Sequence, residues 1–404
     1  MGIKCCALSQ NAAFRRRDYP FQDEYKMIKC VAVYPHHMNS EYRNKIIETI
    51  SLAAEYGFNE IFTTLHLPEY SLAEQLAAYE MIAEETRRHH MELTVDLGGP
   101  FIGKIFEDER AIKVIKDRSP DFIRLDYGYD EKQVRRLYEE FNLQGFVINA
   151  SIYDEKETEA IIDLFKRIDP NIKIRACHNY YIRNESGIDD IFAVRQDIFF
   201  ARYDIPVYYC VPSHTSPRGP LHEGLCTLEK HRHMSIRNVL TDLIMNHDLK
   251  AFMMADEWLT EDEFKQIKTV FEQLEKNKGK NRIGITFYDN VSQEEKDIVL
   301  GKHLFRYDSP IANLRSQSSR EMAEFAKDVK PNNMVIRKTG DVTIDNSLYK
   351  RYSGEMEVML EDHDQDDRVN VVAHINDEND LYKLLYFRDG IEYIFEEQND
   401  ESNH

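Results

Sequence analysis

Eight short runs of β-forming, apolar residues recur along the first 258 residues, and this rhythm constrains the fold more than any other feature. The runs are residues 29–35, 60–65, 92–98, 122–128, 144–151, 173–181, 206–212 and 251–258. They recur about every 30 residues, the spacing of strand–helix units in a parallel sheet. Eight units predict a closed (β/α)8 TIM barrel. A doubly wound open sheet is the alternative, but no glycine-rich dinucleotide turn follows the first strand.

Helical patterns fill the segments between these runs. Ser71 and Glu74 have the spacing of a capping box ahead of an apolar helical face, and Thr260 and Glu263 repeat that spacing after the eighth run. We therefore expect a helix to begin at each of these two boxes.

The pattern changes after residue 277. Strand-like runs lie at 282–288, 334–337, 341–344, 355–360, 368–375 and 391–395, and only 293–300 and 319–329 have a helical pattern. We predict a barrel domain over 27–277 and a smaller, mainly β domain over 282–397, of the small-barrel kind. Residues 1–26 have no clear periodicity and are expected to be a disordered leader.

Composition excludes several classes of protein. The 404 residues carry a formal net charge of −20, which disfavours nucleic acid and anionic membranes as partners. No run approaches the ~20 apolar residues that span a bilayer. Six cysteines without metal-like spacing do not form a disulfide framework, and they fit a reducing cytoplasm. We predict neither a cofactor nor a metal.

Polar residues cluster where the predicted strands end, which is where TIM barrels carry their active sites. The third and fourth strands end at Asp96 and Asp126, and the eighth ends at Asp256. The fifth and sixth strands add Asn149, His178 and Asn179. Converging carboxylates are suited to acid–base chemistry such as glycoside hydrolysis. Structural ion pairs, for example with Arg124, are the alternative for any single acid.

The segment 213–232, after the seventh strand, is the longest insertion at this end of the barrel. It carries Arg218, His222, Glu223 and Arg232. Long loops at such positions are commonly functional, and barrels of this class often bind phosphate near strands seven and eight. Arginine forms bidentate hydrogen bonds with oxyanions, so Arg218 and Arg232 are candidates for such a site. A lid held by salt bridges is the alternative interpretation.

Several motifs together resemble one family, the bacterial 6-phospho-N-acetylmuramidases. The resemblance covers about residues 27–395. It rests on the motifs CHNYY (177–181), RGPLHEGL (218–225), TLEKHR (227–232), IRLDYG (123–128) and VINAS (147–151), with two C-terminal stretches at 340–346 and 351–355. Cys226 stands where the family pattern has proline, and Asp256-Glu257-Trp258 replaces a glycine–aspartate ending of the eighth strand.

The resemblance implies a TIM barrel followed by a cyclophilin-like β-barrel domain. It also implies a cytoplasmic glycosidase that acts during cell-wall recycling. This enzyme would cleave a phosphorylated muramyl disaccharide to N-acetylmuramic acid 6-phosphate and N-acetylglucosamine. Its partner would be this small molecule, with no nucleic acid or membrane involved.

On this basis we assign two sets of candidate residues. The expected catalytic acids are Glu223, Asp126 and Asp256, with Asp96 in reserve. The expected substrate-binding residues are Arg218, Arg232, His178, Asn179, Asn149, Arg183 and His222. The sequence does not separate the proton donor from the nucleophile or base. A sugar-phosphate isomerase or aldolase, and a non-catalytic carbohydrate-binding protein, are the alternative functions.

Overall fold

Eight parallel strands form one closed barrel, which confirms the predicted fold. In this computed structural model the described residues are 27–35, 39–247, 249–277, 281–310, 312–319, 329–386 and 392–398, so the predicted leader lies outside them. The strands are β1 Ile28–Ala32, β2 Glu60–Thr64, β3 Glu92–Leu97, β4 Phe122–Leu125, β5 Gly145–Asn149, β6 Lys173–Cys177, β7 Val207–Val211 and β8 Ala251–Met254. Each strand pairs with the next, and β1 pairs with β8 to close the ring.

Helices follow the strands and cover the outside of the barrel. They are α1 Ser40–Glu55, α2 Leu72–Arg88, α3 Gly99–Glu107, α4 Glu109–Asp117, α5 Glu131–Phe141, α6 Glu155–Ile168, α7 Asp190–Ala201, α8 Ile236–His247 and α9 Glu261–Asn277. The capping box at Ser71 and Glu74 is present. Thr260 and Glu263 also exchange the expected hydrogen bonds, so both predicted helix starts are confirmed. No helix among the described residues is long and apolar enough to cross a membrane.

The second unit is a curled sheet of seven strands. The two compact units divide between Val270 and Phe271, inside α9. The strands are β9 Asn281–Phe287, β10 Lys302–Leu304, β11 Asn313–Arg315, β12 Asp341–Asp345, β13 Met356–Met359, β14 Val369–Ile375 and β15 Glu392–Glu397, with helices α10 Gln293–Val299 and α11 Glu378–Tyr386. The order is β10-β15-β9-β14-β12-β13-β11, and a bridge between Phe305 and Ser316 joins the segments that follow the two edge strands.

This unit is mainly β, as predicted, but its strands differ in detail from the expectation. Residues 334–337 do not form the expected strand, because backbone pairing there is limited to a single bridge between Arg337 and His363. The three-residue strands β10 and β11 are too short to give a periodic signal, and the sequence does not reveal them.

A buried ion pair fills the amino-terminal end of the barrel. Arg175 on β6 donates to Glu60 Oε2 on β2 at 3.0 Å, and its guanidinium lies 3.7 Å above the centre of the Phe122 ring. Thr94 and Tyr208 donate to the same carboxylate. Burial raises the pKa of Glu60, and the charge of Arg175 lowers it in part. The pair therefore keeps a charge in the barrel interior that would otherwise be strongly disfavoured.

We expect Arg175→Met to destabilise the protein by about 3–5 kcal/mol at pH 8, because Glu60 would be left charged and buried. The pKa of Glu60 is higher in the folded state than in the unfolded one. The free energy of unfolding therefore falls as the pH rises from the unfolded-state pKa to the folded-state pKa. The loss should therefore be smaller at pH 5, where Glu60 can take up a proton. Urea unfolding at both pH values measures the difference.

Arg167→Met is the matched control. Arg167 forms an exposed pair with Glu131 at 3.6 Å, and losing such a pair changes stability by about 1 kcal/mol or less. Equal losses for Arg167→Met and Arg175→Met would contradict this account of the barrel interior.

The second unit carries its own buried acidic group. Asp345, at the end of β12, faces Glu355 and Glu357 near β13 and Arg315 on β11. Arg315 bonds Glu355 at 2.7 Å through Nε and lies 3.6 Å from Glu357. Burial, followed by the two glutamates, raises the pKa of Asp345 to about 8. The folded protein therefore holds a proton on this side chain that the unfolded chain has already lost at neutral pH.

We expect Asp345→Asn to stabilise this unit at pH 9 and to leave its stability nearly unchanged at pH 5. The reason is that stability falls as pH rises from about 4 toward the folded-state pKa of about 8, and asparagine cannot ionise. Thermal unfolding at pH 5, 7 and 9 checks this, with Asp289→Asn, an exposed position, as the control. An equal effect of Asp345→Asn at all three pH values would overturn it.

Candidate active site

The barrel mouth is the open end at which the carboxyl ends of the eight strands lie. On one side of it, the guanidinium of Arg124 holds several polar side chains together. Side chains alternate along a strand, so Arg124 on β4 and Asp126, two residues later, point the same way. Arg124 Nη1 donates to Asp96 Oδ1 at 2.8 Å and to Asp126 Oδ1 at 3.2 Å, and Nη2 donates to Asn179 Oδ1 at 2.7 Å. Burial alone would lower the pKa of Arg124, but these acids raise it, so the guanidinium stays charged.

Asn149 completes this network. Its Nδ2 donates to Asp126 Oδ1 at 2.6 Å and to Asn179 Oδ1 at 2.9 Å. The structure therefore brings together four predicted residues from the ends of β3 to β6: Asp96, Asp126, Asn149 and Asn179. The Asp126 side chain is 23% exposed and that of Asp96 is 6% exposed, so Asp126 is the acid that a ligand reaches first.

His66, which is not among the predicted residues, also belongs to this side of the mouth. Its Nε2 lies 3.5 Å from Asp96 Oδ2, and its Nδ1 lies 3.0 Å from Thr64 Oγ1. Glu60, Thr64 and His66 are separated by even numbers of residues, so the two-residue strand period continued past β2 could have placed His66 in the interior.

Asp256 anchors the long loop after β7. Its Oδ2 accepts the backbone N–H groups of Ser213 at 2.8 Å and Leu225 at 3.1 Å, and its Oδ1 accepts that of Arg218 at 2.8 Å. Burial raises the pKa of Asp256, and these three donors lower it. Both carboxylate oxygens are used in this way. We therefore propose that Asp256 positions the loop, in place of the predicted catalytic role.

Arg232 holds the same loop from its other end. It is 1% exposed, and Glu229 accepts from its Nε and Nη2, each at 2.7 Å. The other hydrogen bonds of its guanidinium go to the backbone carbonyls of Tyr181, Arg183, Glu223 and Gly224. This guanidinium is engaged on all sides by the protein. We therefore propose a structural role for Arg232 in place of the predicted contact with substrate.

His178 does not face the mouth. Cys177 packs in the barrel interior and Asn179 joins the Arg124 network, so His178 between them points to the outer side of the strand. It is 1% exposed, and its Nδ1 lies 3.0 Å from Ser151 Oγ. Burial, with a smaller effect of nearby positive charge, lowers its pKa to about 3. We therefore propose a structural role for this buried imidazole in place of the predicted contact with substrate.

The remaining predicted residues lie on the loops that follow β6 and β7. Glu223 is partly buried, and its Oε2 accepts the backbone N–H of Asn184 at 2.7 Å. Arg183 and His222 are exposed, and His222 Nδ1 lies 2.7 Å from the carbonyl oxygen of Pro217. The predicted catalytic role of Glu223 and the predicted substrate contacts of Arg183 and His222 stay proposals.

One set of possible metal ligands lies between β7 and helices α7 and α8. Asp190, Asp242 and His247 could together contact one ion. However, Lys230 Nζ lies 2.7 Å from both Asp190 and Asp242 and supplies the positive charge there. Burial alone would lower the pKa of His247, but hydrogen bonds to Asp190 and Asp197 raise it to about 9. The arrangement is a complete salt-bridge network, and we do not propose a metal in it.

The fold and the mouth define a TIM-barrel protein with an acid-lined site at the carboxyl ends of its strands. Residues 30–269 match the family described as "6-phospho-N-acetylmuramidase, N-terminal", and residues 281–396 match "6-phospho-N-acetylmuramidase, C-terminal". The chain therefore belongs to the 6-phospho-N-acetylmuramidase family, which confirms the resemblance carried by its motifs.

Two solved structures share the fold over nearly the whole chain. An uncharacterized B. cereus protein has a TM-score of 0.65 and 23% identity, covering 92% of this chain and 99% of its own. A conserved Enterococcus faecalis protein of unknown function has a TM-score of 0.61 and 24% identity, covering 92% and 97%. At this identity they establish the fold alone. No curated protein matches the chain.

We expect Asp256→Asn to loosen the loop after β7, because one carboxylate oxygen becomes an amide nitrogen that cannot accept a hydrogen bond. Hydrogen bonds to a charged acceptor contribute about 1.5–3 kcal/mol each. Amide hydrogen exchange at Ser213, Arg218 and Leu225 should become faster. Asp163→Asn, on the exposed face of α6, is the control. Unchanged exchange at all three amides would rule out the anchoring role.

Proposed function

We propose that this chain hydrolyses the glycosidic bond of the disaccharide 6-phospho-N-acetylmuramyl-N-acetylglucosamine. The products are N-acetylmuramic acid 6-phosphate and N-acetylglucosamine, and the reaction is a cytoplasmic step of cell-wall recycling. Family membership supports the reaction class. The observation that carries the proposal is the pair of carboxylates on Arg124, open to solvent through Asp126.

In this reaction Asp126 is the proposed nucleophile or base. Its Oδ1 accepts from Arg124 Nη1 at 3.2 Å and from Asn149 Nδ2 at 2.6 Å, and these two donors orient the carboxylate. An ionised carboxylate either attacks the anomeric carbon or activates water. Asp96 is less exposed and holds Arg124 in place, so we propose for it a positioning role.

Glu223 is the proposed proton donor to the leaving oxygen. It lies on the anchored loop after β7, where its Oε2 accepts the backbone N–H of Asn184 at 2.7 Å. A glycosidase needs one carboxyl group that carries a proton at working pH. Asp256 is committed to three backbone donors, which leaves Glu223 as the better candidate of these two acids.

The alternative of a Schiff-base aldolase has little support in the mouth. Lys230 is the lysine of the segment 213–232, and its ammonium lies 2.7 Å from both Asp190 and Asp242. A Schiff base needs a free, neutral amine. Burial alone would lower the pKa of Lys230, but the two aspartates raise it above its ordinary value, so the ammonium stays protonated.

A mass-spectrometric time course tests the function directly. Purified full-length chain is incubated with the phosphorylated disaccharide and, separately, with its unphosphorylated counterpart. We expect release of N-acetylglucosamine from the phosphorylated compound. Folded protein that cleaves neither compound would contradict the proposed function and would favour the isomerase or the binding protein.

We expect Asp126→Asn to lower kcat by about 10²–10⁴-fold, because the amide cannot act as nucleophile or base. Glu223→Gln should cause a loss of similar size by removing the proton donor. Initial rates on the phosphorylated disaccharide measure both effects, with circular dichroism to verify folding. Asp163→Asn and Glu139→Gln, at exposed helix positions, are the matched controls. Turnover near wild type in Asp126→Asn would remove Asp126 from the mechanism.

A further inference from the structure

The Arg218 side chain lies flat on a buried tyrosine. Its Cζ is 3.5 Å above the centre of the Tyr34 ring, and Tyr34 is fully buried, with its hydroxyl donating to the carbonyl oxygen of Ala255. The backbone N–H of Arg218 is held by Asp256 at 2.8 Å. Both the start and the end of this side chain are therefore fixed by the protein itself.

The hydrogen-bonding capacity of this guanidinium is only partly used. Nη1 donates to the hydroxyl of Tyr180 at 3.2 Å, and the buried Nε has no hydrogen-bond partner. Among the described residues, no carboxylate forms an ion pair with it. Glu257 acts on it only at longer range, and its carboxylate accepts the Tyr42 hydroxyl. A largely buried, charged donor without an anion is costly unless a ligand supplies one.

Arg218 and the acids lie on opposite sides of the barrel mouth. Tyr34 follows β1, and Arg218 follows β7 and is anchored at the end of β8. Asp126 follows β4 and Asn149 is the last residue of β5, and these two strands lie on the opposite side of an eight-stranded ring closed by β1 and β8. Tyr180 lies between the two sides, because its hydroxyl accepts from Arg218 while the preceding residue, Asn179, accepts from Arg124.

We propose that Tyr34, Arg218 and Tyr180 form an oxyanion clamp that binds one anionic group of the substrate across the mouth from the reacting bond. The guanidinium offers its remaining donors in the planar fork that matches phosphate and carboxylate oxygens. Tyr34 supports its face and Tyr180 fixes one edge. The clamp sets the direction in which the substrate lies across the mouth. This inference rests on the proposed function, whose substrate carries a phosphate and a lactyl carboxylate.

The experiment compares three disaccharides with wild-type chain, Arg218→Gln and Arg218→Lys. The substrates are the full compound, the analogue without the phosphate and the analogue without the lactyl group. We expect Arg218→Gln to lose about a hundredfold in kcat/KM on the full compound, the size of effect typical when a buried charge loses its partner. It should lose little on the analogue that lacks the bound anion. Arg218→Lys should recover only part of the activity, because it keeps the charge without the fork.

The pattern over the two analogues identifies which oxyanion the clamp binds. If Arg218→Gln discriminates against both analogues as strongly as wild type does, the clamp is wrong. Arg110→Gln, on the exposed surface of α4, is the control for an arginine-to-glutamine change. If Arg218→Gln does not fold, Arg218→Lys and Tyr180→Phe, which removes the hydroxyl partner, carry the same comparison.

A binding measurement separates this inference from the proposed reaction. Calorimetric titration with N-acetylmuramic acid 6-phosphate, N-acetylmuramic acid and N-acetylglucosamine 6-phosphate requires no turnover. If wild type cleaves none of the disaccharides but binds these sugars more tightly than Arg218→Gln does, the reaction fails and the clamp stands. Equal binding by wild type and Arg218→Gln overturns the clamp, whether or not the protein is a hydrolase.

Discussion

Closure of eight parallel strands directs every second side chain into the barrel, and this chain places charged side chains at both ends of that interior. Glu60 and Arg175 fill the amino-terminal end, and Arg124 with two aspartates fills the carboxyl end. Apolar side chains such as Phe62 lie between them. In so dry a space each charge requires a partner, so the two networks fix the positions of the strands that carry them. The proposed catalytic site at the mouth therefore depends on the same constraint that closes the barrel.

The loops over the mouth are held by carboxylates that accept backbone N–H groups. Asp256 holds the first part of the loop after β7, and Glu229 holds the backbone of Glu185 and Gly187 in the preceding loop. Cys226, which departs from the family pattern, pairs its carbonyl with the backbone N–H of Tyr181. Because this contact uses backbone atoms, the loop stays anchored although proline is absent. Long segments without helix or strand can in this way present side chains as precisely as a strand does.

The fold could be predicted further than the site. Eight buried parallel strands repeat one pattern, and each is long enough to show it, whereas β10 and β11 have three residues each and depend on partners distant in the chain. For the site, the rule that barrel activity lies at the carboxyl ends of strands predicted Asp96, Asp126, Asn149 and Asn179, and the structure places these four side chains together. That rule gives the end of the barrel but not the face of the strand, so it also included His178, whose side chain points to the outer side. Strand alternation, counted from Asn179, would have placed His178 outside the mouth.

No comparable period exists in the loop that holds Arg218 and Arg232. The sequence could therefore not show that Glu229 binds Arg232 and leaves Arg218 available. Which cation is neutralised depends on contacts between loops, and those form only when the chain is folded.

The net negative charge of the molecule makes it important which arginines are neutralised by carboxylates and which are not. A protein with a net charge of −20 repels an anionic substrate at long range, although salt screens most of that repulsion beyond about 8 Å. Recognition must then come from local cations. Arg124 is balanced by two aspartates and Arg232 by Glu229, whereas Arg218 is held in place by aromatic rings and a backbone anchor. Tyrosine rings fix a guanidinium without cancelling its charge, which carboxylates cannot do. An acidic protein can thus bind an anion selectively by supporting one arginine with aromatic side chains.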